Sequence, residues 1–439
     1  MRLGERGVSD TTVLTLAAGE GGADAVAELS AVQRVKNRLL VRGVAAEARS
    51  AGHPDAALAT RAYDLLADLE GEAGEEVERV LRYPAVGAWA WRAYRSLRSG
   101  NGAHDDPAQL GALAVVAAVR ARAACRVRLP VRDGAIMLPS LGRLILPAGT
   151  GDAIDVTVRP DGDGAELDAG GLTVRVHPSG DRSGWQALHR LRVNPGLDLV
   201  VDDLDPYRWA AEEVAEPRLE PERLRAWGEH LEEAWRVLTA HHRTVAEEVG
   251  LAVSVLTPVK APERGQNSAS SRETFGTIAM SDPWDGVGLA ATFAHEIQHA
   301  KLTALTEVIP LTLPDDGRRY YAPWRDDPRP VYGLLQGSYA YLGVAEFWRR
   351  QHRFERDAEA FRARVELARW RRAAYAVTGT LLAGGGLNER GEEFVARMRK
   401  TLEECAAEPV DSAAESQALR EAEHHLDAWR RRNPGFRAN

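Results

Sequence analysis

Apolar positions recur along the first quarter of the chain at intervals of three and four. Val26, Leu29, Val32, Val35, Leu39 and Val44 fall mostly on one side of a helix. The same spacing predicts helices over 56–69 and 107–123, and the turn-rich run Ser99-Gly100-Asn101-Gly102 punctuates them. Near residue 126 the pattern shortens. The runs RVRLPV, GRLILPAG, AIDVTVRP, GLTVRVHP and LDLVVDD are Val- and Leu-rich and separated by turn residues, which predicts antiparallel strands as far as about 205. Helical spacing returns over 219–249. Two strand-like runs follow at 251–259 and 273–281, then a helix over 285–306 that Pro310 stops. Beyond a loop rich in Pro, Asp and Arg, helices resume at about 334 and continue nearly to the end.

This order predicts an α+β protein, mostly helical, with a central antiparallel β region. It divides into a helical stretch 1–125, a β-rich stretch 126–217 and a stretch 218–439 that holds the remaining helices. There are no internal repeats and no low-complexity segments.

Composition narrows the classes. The 439 residues are 44% hydrophobic and 27% charged, an ordinary globular balance that excludes disorder, collagen-like repeats and disulfide scaffolds. Cys125 and Cys405 are too few and too far apart for a cysteine framework, so a reducing compartment is expected. A net charge of −8 argues against a nucleic-acid partner. Four of the 56 basic residues are lysine and the rest arginine, which reads as coding bias in a GC-rich organism. The opening residues have no signal-peptide core, and the apolar runs 111–119 and 373–387 are shorter than the roughly 20 residues of a membrane helix. A soluble, cytoplasmic protein with no membrane partner is expected.

The chemistry concentrates in AHEIQHA at 294–300. His295 and His299, four apart, project from one helix face and can share a metal ion, while Glu296 can reach a metal-bound water. Leu289, Phe293, Ile297 and Leu302 supply an apolar side, and the preceding strand gives the strand-then-helix order of zinc peptidases. That predicts a zincin-like metal-binding helical domain. Two unrelated histidines on a surface helix are the plainer alternative. His177 and His189, elsewhere, are isolated and read as hydrogen-bonded or surface residues.

A third protein ligand is needed. The two-helix peptidase plan places a glutamate, often in Glu-Gly-x-Ala, on the next helix; here LLQGSYAYLGVAEFW puts Gln336-Gly337 at that place. Glu346, ten residues on, is the nearest downstream carboxylate and reads either as the ligand or as a residue of a solvated helix face. Just before this helix, RRYYAPWRDDPRP sets Arg325 and Arg329 among aromatics, with prolines at 323, 328 and 330 to stiffen the loop. Such arginines suit bidentate binding of a carboxylate; alternatively they pair with Asp326 and Asp327 to hold the loop together.

Together these stretches resemble the mainly actinobacterial HExxH-motif family of α-ketoglutarate-dependent HExxH-type peptide β-hydroxylases. The resemblance is carried by His295-Glu296-x-x-His299, Lys301 and YYAPWRDDPRP…GLLQG…YAYLGV, with KNRLLVRG (36–43) and DDLDPYR (202–208) extending it over most of the chain. It implies an oxygenase that uses Fe(II), O₂ and α-ketoglutarate (2-oxoglutarate) to hydroxylate a side-chain β-carbon in a ribosomally made precursor peptide. It further implies His295, His299 and Gln336 as metal ligands, and Arg325 or Arg329 as partner of the keto acid's far carboxylate. Glu296 then orients water or a ligand. The alternatives are a zinc metallopeptidase with Glu296 as general base, or a non-catalytic peptide-binding protein whose metal is structural.

Overall fold

In the computed structural model of the chain, residues 7–100, 106–162, 164–176, 180–210, 212–215, 218–263 and 265–436 are described. The helices α1 (Asp10–Ala17), α2 (Gly22–Ser50), α3 (Ala56–Leu81), α4 (Pro84–Ser99) and α5 (Leu110–Ala121) come first. Nine strands follow: β1 (Cys125–Pro130), β2 (Ala135–Leu138), β3 (Gly142–Ile145), β4 (Ala153–Asp161), β5 (Gly164–Ala169), β6 (Leu172–Val176), β7 (Trp185–Ala187), β8 (His189–Val193) and β9 (Leu197–Val201). Next come α6 (Pro221–His241), α7 (Arg243–Ala252), β10 (Val255–Pro258), β11 (Ser268–Ala269) and β12 (Thr277–Met280). The chain ends in α8 (Gly286–Thr306), α9 (Val331–Gln351), α10 (Asp357–Ala383), α11 (Glu389–Ala406) and α12 (Ser412–Arg432).

The fold is α+β and 56% helical, with antiparallel sheets. No helix of the described residues is long and apolar enough to cross a membrane. Of the predicted features, Asn101, Gly102, His177 and the first six residues lie outside the described residues. The residues form two units that interleave along the chain. One takes 1–32, 227–252 and 283–439; the other takes 33–226 and 253–282.

In the second of these units α5 is the centre. Its residues from Leu110 to Ala118 are all buried, which explains an apolar run that lacks a polar face. A Cβ at Gly111 would lie 2.5 Å from Leu129 Cδ2, so the glycine lets α5 lie close against β1. The sheet β1-β4-β5-β6 is antiparallel throughout. Its alternation is the expected one: Leu129, Val156, Val158 and Leu167 are buried, while Arg126–Asp155 (2.7 Å) and Arg159–Asp168 (3.0 Å) pair on the solvent face. The strands β2, β3 and β7 form a small sheet.

In the five-stranded sheet β11-β12-β10-β9-β8 the pair β8–β9 is antiparallel, as predicted for that region, while β9–β10 and β10–β12 are parallel, a direction the sequence pattern leaves open. The cause is visible in the strands themselves: β10 and β12 are buried along their whole length, as parallel strands usually are. The run predicted over 251–259 also begins two residues inside α7.

β9 leads into DDLDPYR, a buried polar turn. Asp202 accepts the Tyr83 hydroxyl at 2.5 Å and the backbone N–H groups of Leu204 (3.1 Å) and Asp205 (2.9 Å). Asp205 accepts the Tyr207 N–H at 2.8 Å. Both carboxyls are at most 1% exposed. Asp203 instead binds Arg218, with His189 3.7 Å away, so that histidine is hydrogen-bonded into structure as its isolation suggested.

In the helical unit, α8 and α9 pack side by side, and α10 packs against α9, α11 and α12. The short α1 was not apparent in the apolar pattern. It is docked by Tyr339, whose hydroxyl donates to the Leu16 carbonyl at 2.8 Å, while the following Ala18 carbonyl accepts from Thr401 at 3.0 Å.

Burial, and then the neighbouring Asp202, push the Asp205 carboxyl up to about 8. The native state therefore holds a proton that the unfolded chain releases near pH 4, and this group's contribution to stability falls as pH rises from about 4 to about 8, then levels off. Asp205→Asn keeps the acceptor for Tyr207 and cannot ionise. Its stability relative to the parent is expected to rise with pH across that window, by about 1.4 kcal/mol per pH unit and so by about 5 kcal/mol between its two ends. Urea midpoints at several pH values check this, and a pH-independent difference would refute it.

Candidate functional site

The N-cap of α8 is Asp285, whose carboxylate accepts the Gly288 N–H at 2.5 Å. From that start the helix buries Leu289, Phe293, Ile297 and Leu302, the apolar side expected from sequence. His295 and His299 therefore come to one face, their rings edge-to-face with centroids 4.8 Å apart. Burial, and then the proximity of His299, push the His295 pKa well below the ordinary imidazole value. His295 is thus a neutral ring with a lone pair to offer, the form a metal ligand requires. Glu296 is 1% exposed, with Oε1 3.9 Å from His295 Nε2.

The second helix, α9, starts after Pro330 and brings Gln336 to this face. Gln336 Oε1 lies 3.1 Å from His299 Nδ1. Its Nε2 donates to the Tyr332 hydroxyl at 2.8 Å and to Thr303 Oγ1 at 3.3 Å. With the NH₂ group directed at two hydroxyls, the amide oxygen is left to accept from His299, which assigns an N–H to its Nδ1. Tyr332 and Thr303 were not singled out from sequence. The signal for Tyr332 is its position four residues before Gln336 on the same helix.

Glu346 goes elsewhere. Ten residues along a helix is about 15 Å. There its carboxylate accepts from Cys405 Sγ (2.6 Å) and pairs with Arg349 (2.6 Å). It is partly buried in that network, not on the solvated face that was the other reading. The structure brings Gln336, and not Glu346, to the histidines.

A wall of aromatic rings borders the pair. Tyr341 stands edge-on to His295 at 4.9 Å, stacks on Trp370 at 4.0 Å and meets Trp324 at 4.9 Å. A Cβ at Gly337 would lie 2.3 Å from Trp324 Nε1, so the Gln336-Gly337 step places a donor and admits an indole in successive residues. Trp324 and Tyr341 lie in the stretches singled out from sequence, where the pattern gives them no role of their own, and Trp370 lies outside them.

The loop before α9 is fastened at several points. Tyr320 and Arg329 exchange backbone hydrogen bonds (2.8 and 2.9 Å), and the Tyr321 hydroxyl is 2.8 Å from His425 Nδ1. Arg325 Nε and Arg329 Nη1 each donate at 2.9 Å to Asp327, one to each carboxylate oxygen. Asp326 is not their partner, contrary to the structural pairing considered from sequence: it pairs with Arg432, because α12 passes that side of the loop. Two guanidiniums on one carboxylate leave an excess positive charge. Arg325 is also half-exposed.

Lys301, which lies on another side of α8, is buried against Glu248 at 2.7 and 2.8 Å. Among the described residues no group of three His, Cys, Asp or Glu side chains is arranged to hold a metal ion. The donors brought together are two imidazoles and one amide. No protein-family model matches the chain, and no curated protein matches it.

The close fit at Gly337 can be tested directly. Gly337→Ala drives a methyl group into a rigid indole and should cost about 1–3 kcal/mol of stability, with a shifted tryptophan emission as Trp324 is displaced. Denaturant unfolding followed by fluorescence measures both. A variant as stable as the parent, with an unchanged spectrum, would contradict the packing.

Proposed function

We propose that the chain is an Fe(II)- and α-ketoglutarate-dependent oxygenase of the HExxH peptide β-hydroxylase type, acting on a side-chain β-carbon of a ribosomally made precursor peptide. The reading takes the α8–α9 pair as a zincin-like metal domain, and a reducing, cytoplasmic setting agrees with two free cysteines. One observation carries it: the group beside the histidines on α9 is the neutral amide of Gln336, where a zinc peptidase places a carboxylate. A site with neutral protein donors suits a metal whose negative charge comes from a bound keto acid.

The residues fit such a group. His295 and His299 would hold the metal, with the Gln336 amide oxygen, 3.1 Å from His299 Nδ1, orienting that ring from the side away from Nε2. When bound, iron would activate O₂ as the oxidant, one oxygen atom entering the substrate C–H bond and the other the keto acid, which would leave as succinate and CO₂. Arg325 and Arg329 supply cationic donors for the far carboxylate, and their grip on Asp327 has the form such binding takes. Tyr341, backed by Trp324 and Trp370, covers one side of His295, whose side chain is left 19% exposed. Glu296, buried beside His295, orients water or a ligand; in the alternative, a zinc metallopeptidase, it takes the proton of the attacking water.

Anaerobic addition of Fe(II) and α-ketoglutarate should produce a weak visible charge-transfer band. Unit-stoichiometry zinc with no such band, and peptide cleavage lost in Glu296→Gln, would replace this reading with the peptidase. His295→Ala and His299→Ala should each abolish metal retention, measured by elemental analysis after dialysis.

Gln336→Ala should weaken metal retention by about 10–100-fold, the cost of a residue that orients or supplements a ligand. Glu346→Ala should leave it unchanged. The assignment fails if Glu346→Ala loses the metal while Gln336→Ala keeps it. Arg325→Ala or Arg329→Ala should raise the α-ketoglutarate requirement by about tenfold at constant iron affinity, the worth of a charge-assisted pair at partly exposed arginines. Titration of the band with keto acid reads this out.

A further inference from the structure

The charge pattern of the loop before α9 is set by the end of α12. His425, Trp429, Arg432 and Asn433 follow one another at three- and four-residue spacing, so they face the loop together. The Tyr321 hydroxyl reaches His425 Nδ1 at 2.8 Å, and the Tyr321 ring meets the fully buried Trp429 edge-to-face at 5.2 Å. One turn further on, Arg432 pairs with the Asp326 carboxylate. Asn433 Nδ2 donates to the Asp326 carbonyl at 2.9 Å and to the Trp429 carbonyl at 2.9 Å. Asp326 is therefore gripped at its side chain and at its backbone by two successive residues.

Charge counting shows what the grip does. Arg325, Asp326, Asp327 and Arg329 are two cations and two anions in one short run. Left to themselves they can pair off, one arginine to each aspartate. With Asp326 turned to α12, both arginines fall on Asp327, one on each carboxylate oxygen at 2.9 Å. One carboxylate then serves two guanidiniums, and neither is fully neutralised.

These arginines are open to a ligand and close to the histidines. The Arg325 side chain is 54% exposed and that of Arg329 35%. Burial raises the Tyr341 phenol above its ordinary pKa, and Arg325 is among the charges that oppose this. Tyr341 is the ring beside His295, so the field of Arg325 reaches that face.

We propose that Arg432 is a positioning residue: by holding Asp326 it keeps Arg325 and Arg329 from being neutralised within the loop, and so keeps them competent to take the far carboxylate of α-ketoglutarate. The identity of the ligand rests on the oxygenase reading above; the pairing within the loop does not.

The test is anaerobic titration of the iron-loaded, full-length enzyme with α-ketoglutarate, read by the charge-transfer band, together with a crystal structure of Arg432→Ala. The side chains of Arg432 and Asp326 are 58% and 68% exposed, so substituting them leaves the fold intact. Arg432→Ala should raise the keto acid requirement about three- to fivefold at unchanged iron affinity, the scale of an exposed ion pair. Asp326→Asn/Arg432→Ala removes the carboxylate that Arg432→Ala releases, and should return to within about twofold of the parent. Arg430→Ala takes the same charge from α12 but leaves Asp326 held, since Arg430 pairs with Asp427 at 3.6 Å. It should also stay within about twofold, which separates capture of Asp326 from the general field of the helix. In the Arg432→Ala structure Asp326 should turn to Arg325 or Arg329. The proposal is overturned if Arg432→Ala binds as the parent does, if Arg430→Ala weakens binding as much, or if the double variant stays weak. An Asp326 that keeps clear of both arginines in the Arg432→Ala structure overturns it equally. If the parent shows no band, the oxygenase reading falls and the keto acid with it, while the Arg432→Ala structure still decides whether Arg432 withholds Asp326.

Discussion

The close approach of α8 and α9 is the constraint on which the rest of the site depends. At Gly343 a Cβ would lie 2.9 Å from the Ala294 carbonyl oxygen, so a side chain there would force the helices apart. Close backbones are what let Gln336 span from α9 to His299, and Tyr341 reach the ring of His295. A hydrogen bond and a ring contact are both lost when their partners move by an ångström or so. The glycine thus sets the geometry of a site in which it has no chemistry.

Electrostatics near that site follow from which charges are already satisfied. Asp326 is taken by Arg432 and Asp327 is shared between Arg325 and Arg329, so the cluster formed with α12 has three cations to two anions. The fastened backbone keeps that excess in one place, and the partial exposure of the arginines keeps it accessible. A loop held only by reciprocal ion pairs would carry no such surplus.

Much of this was legible in the chain because it is local. The N-cap at Asp285, the four-residue spacing of the histidines and the apolar side of α8 depend on helix geometry alone. So does the remoteness of Glu346 from Gln336, since helix rise fixes their separation. What was not legible depends on partners distant in sequence. The parallel pairing of β10 with β9 joins strands more than fifty residues apart. The third ring of the aromatic wall, Trp370, comes from α10, and nothing around it in the sequence ties it to Tyr341. The eight-residue α1 is too short to show a clear apolar face, and it is docked largely by hydroxyls from α9 and α11. The pairing of both arginines with Asp327 was within reach of local reasoning only if Asp326 was known to be occupied, and its partner lies over a hundred residues away.

The polar residues of α8 carry a further implication. This helix is buried on most sides, yet it contains His295, Glu296, Gln298, His299 and Lys301 within seven positions. In a buried helix each such residue costs desolvation unless it finds a partner. Lys301 finds Glu248, at the price of a buried ion pair that well-packed apolar residues would often match or better. Gln298 is half satisfied, and His299 is oriented by an amide that is itself held by two hydroxyls. A sequence selected for stability alone has no reason to accumulate these groups in one helix, and aliphatic residues would pack there at lower cost.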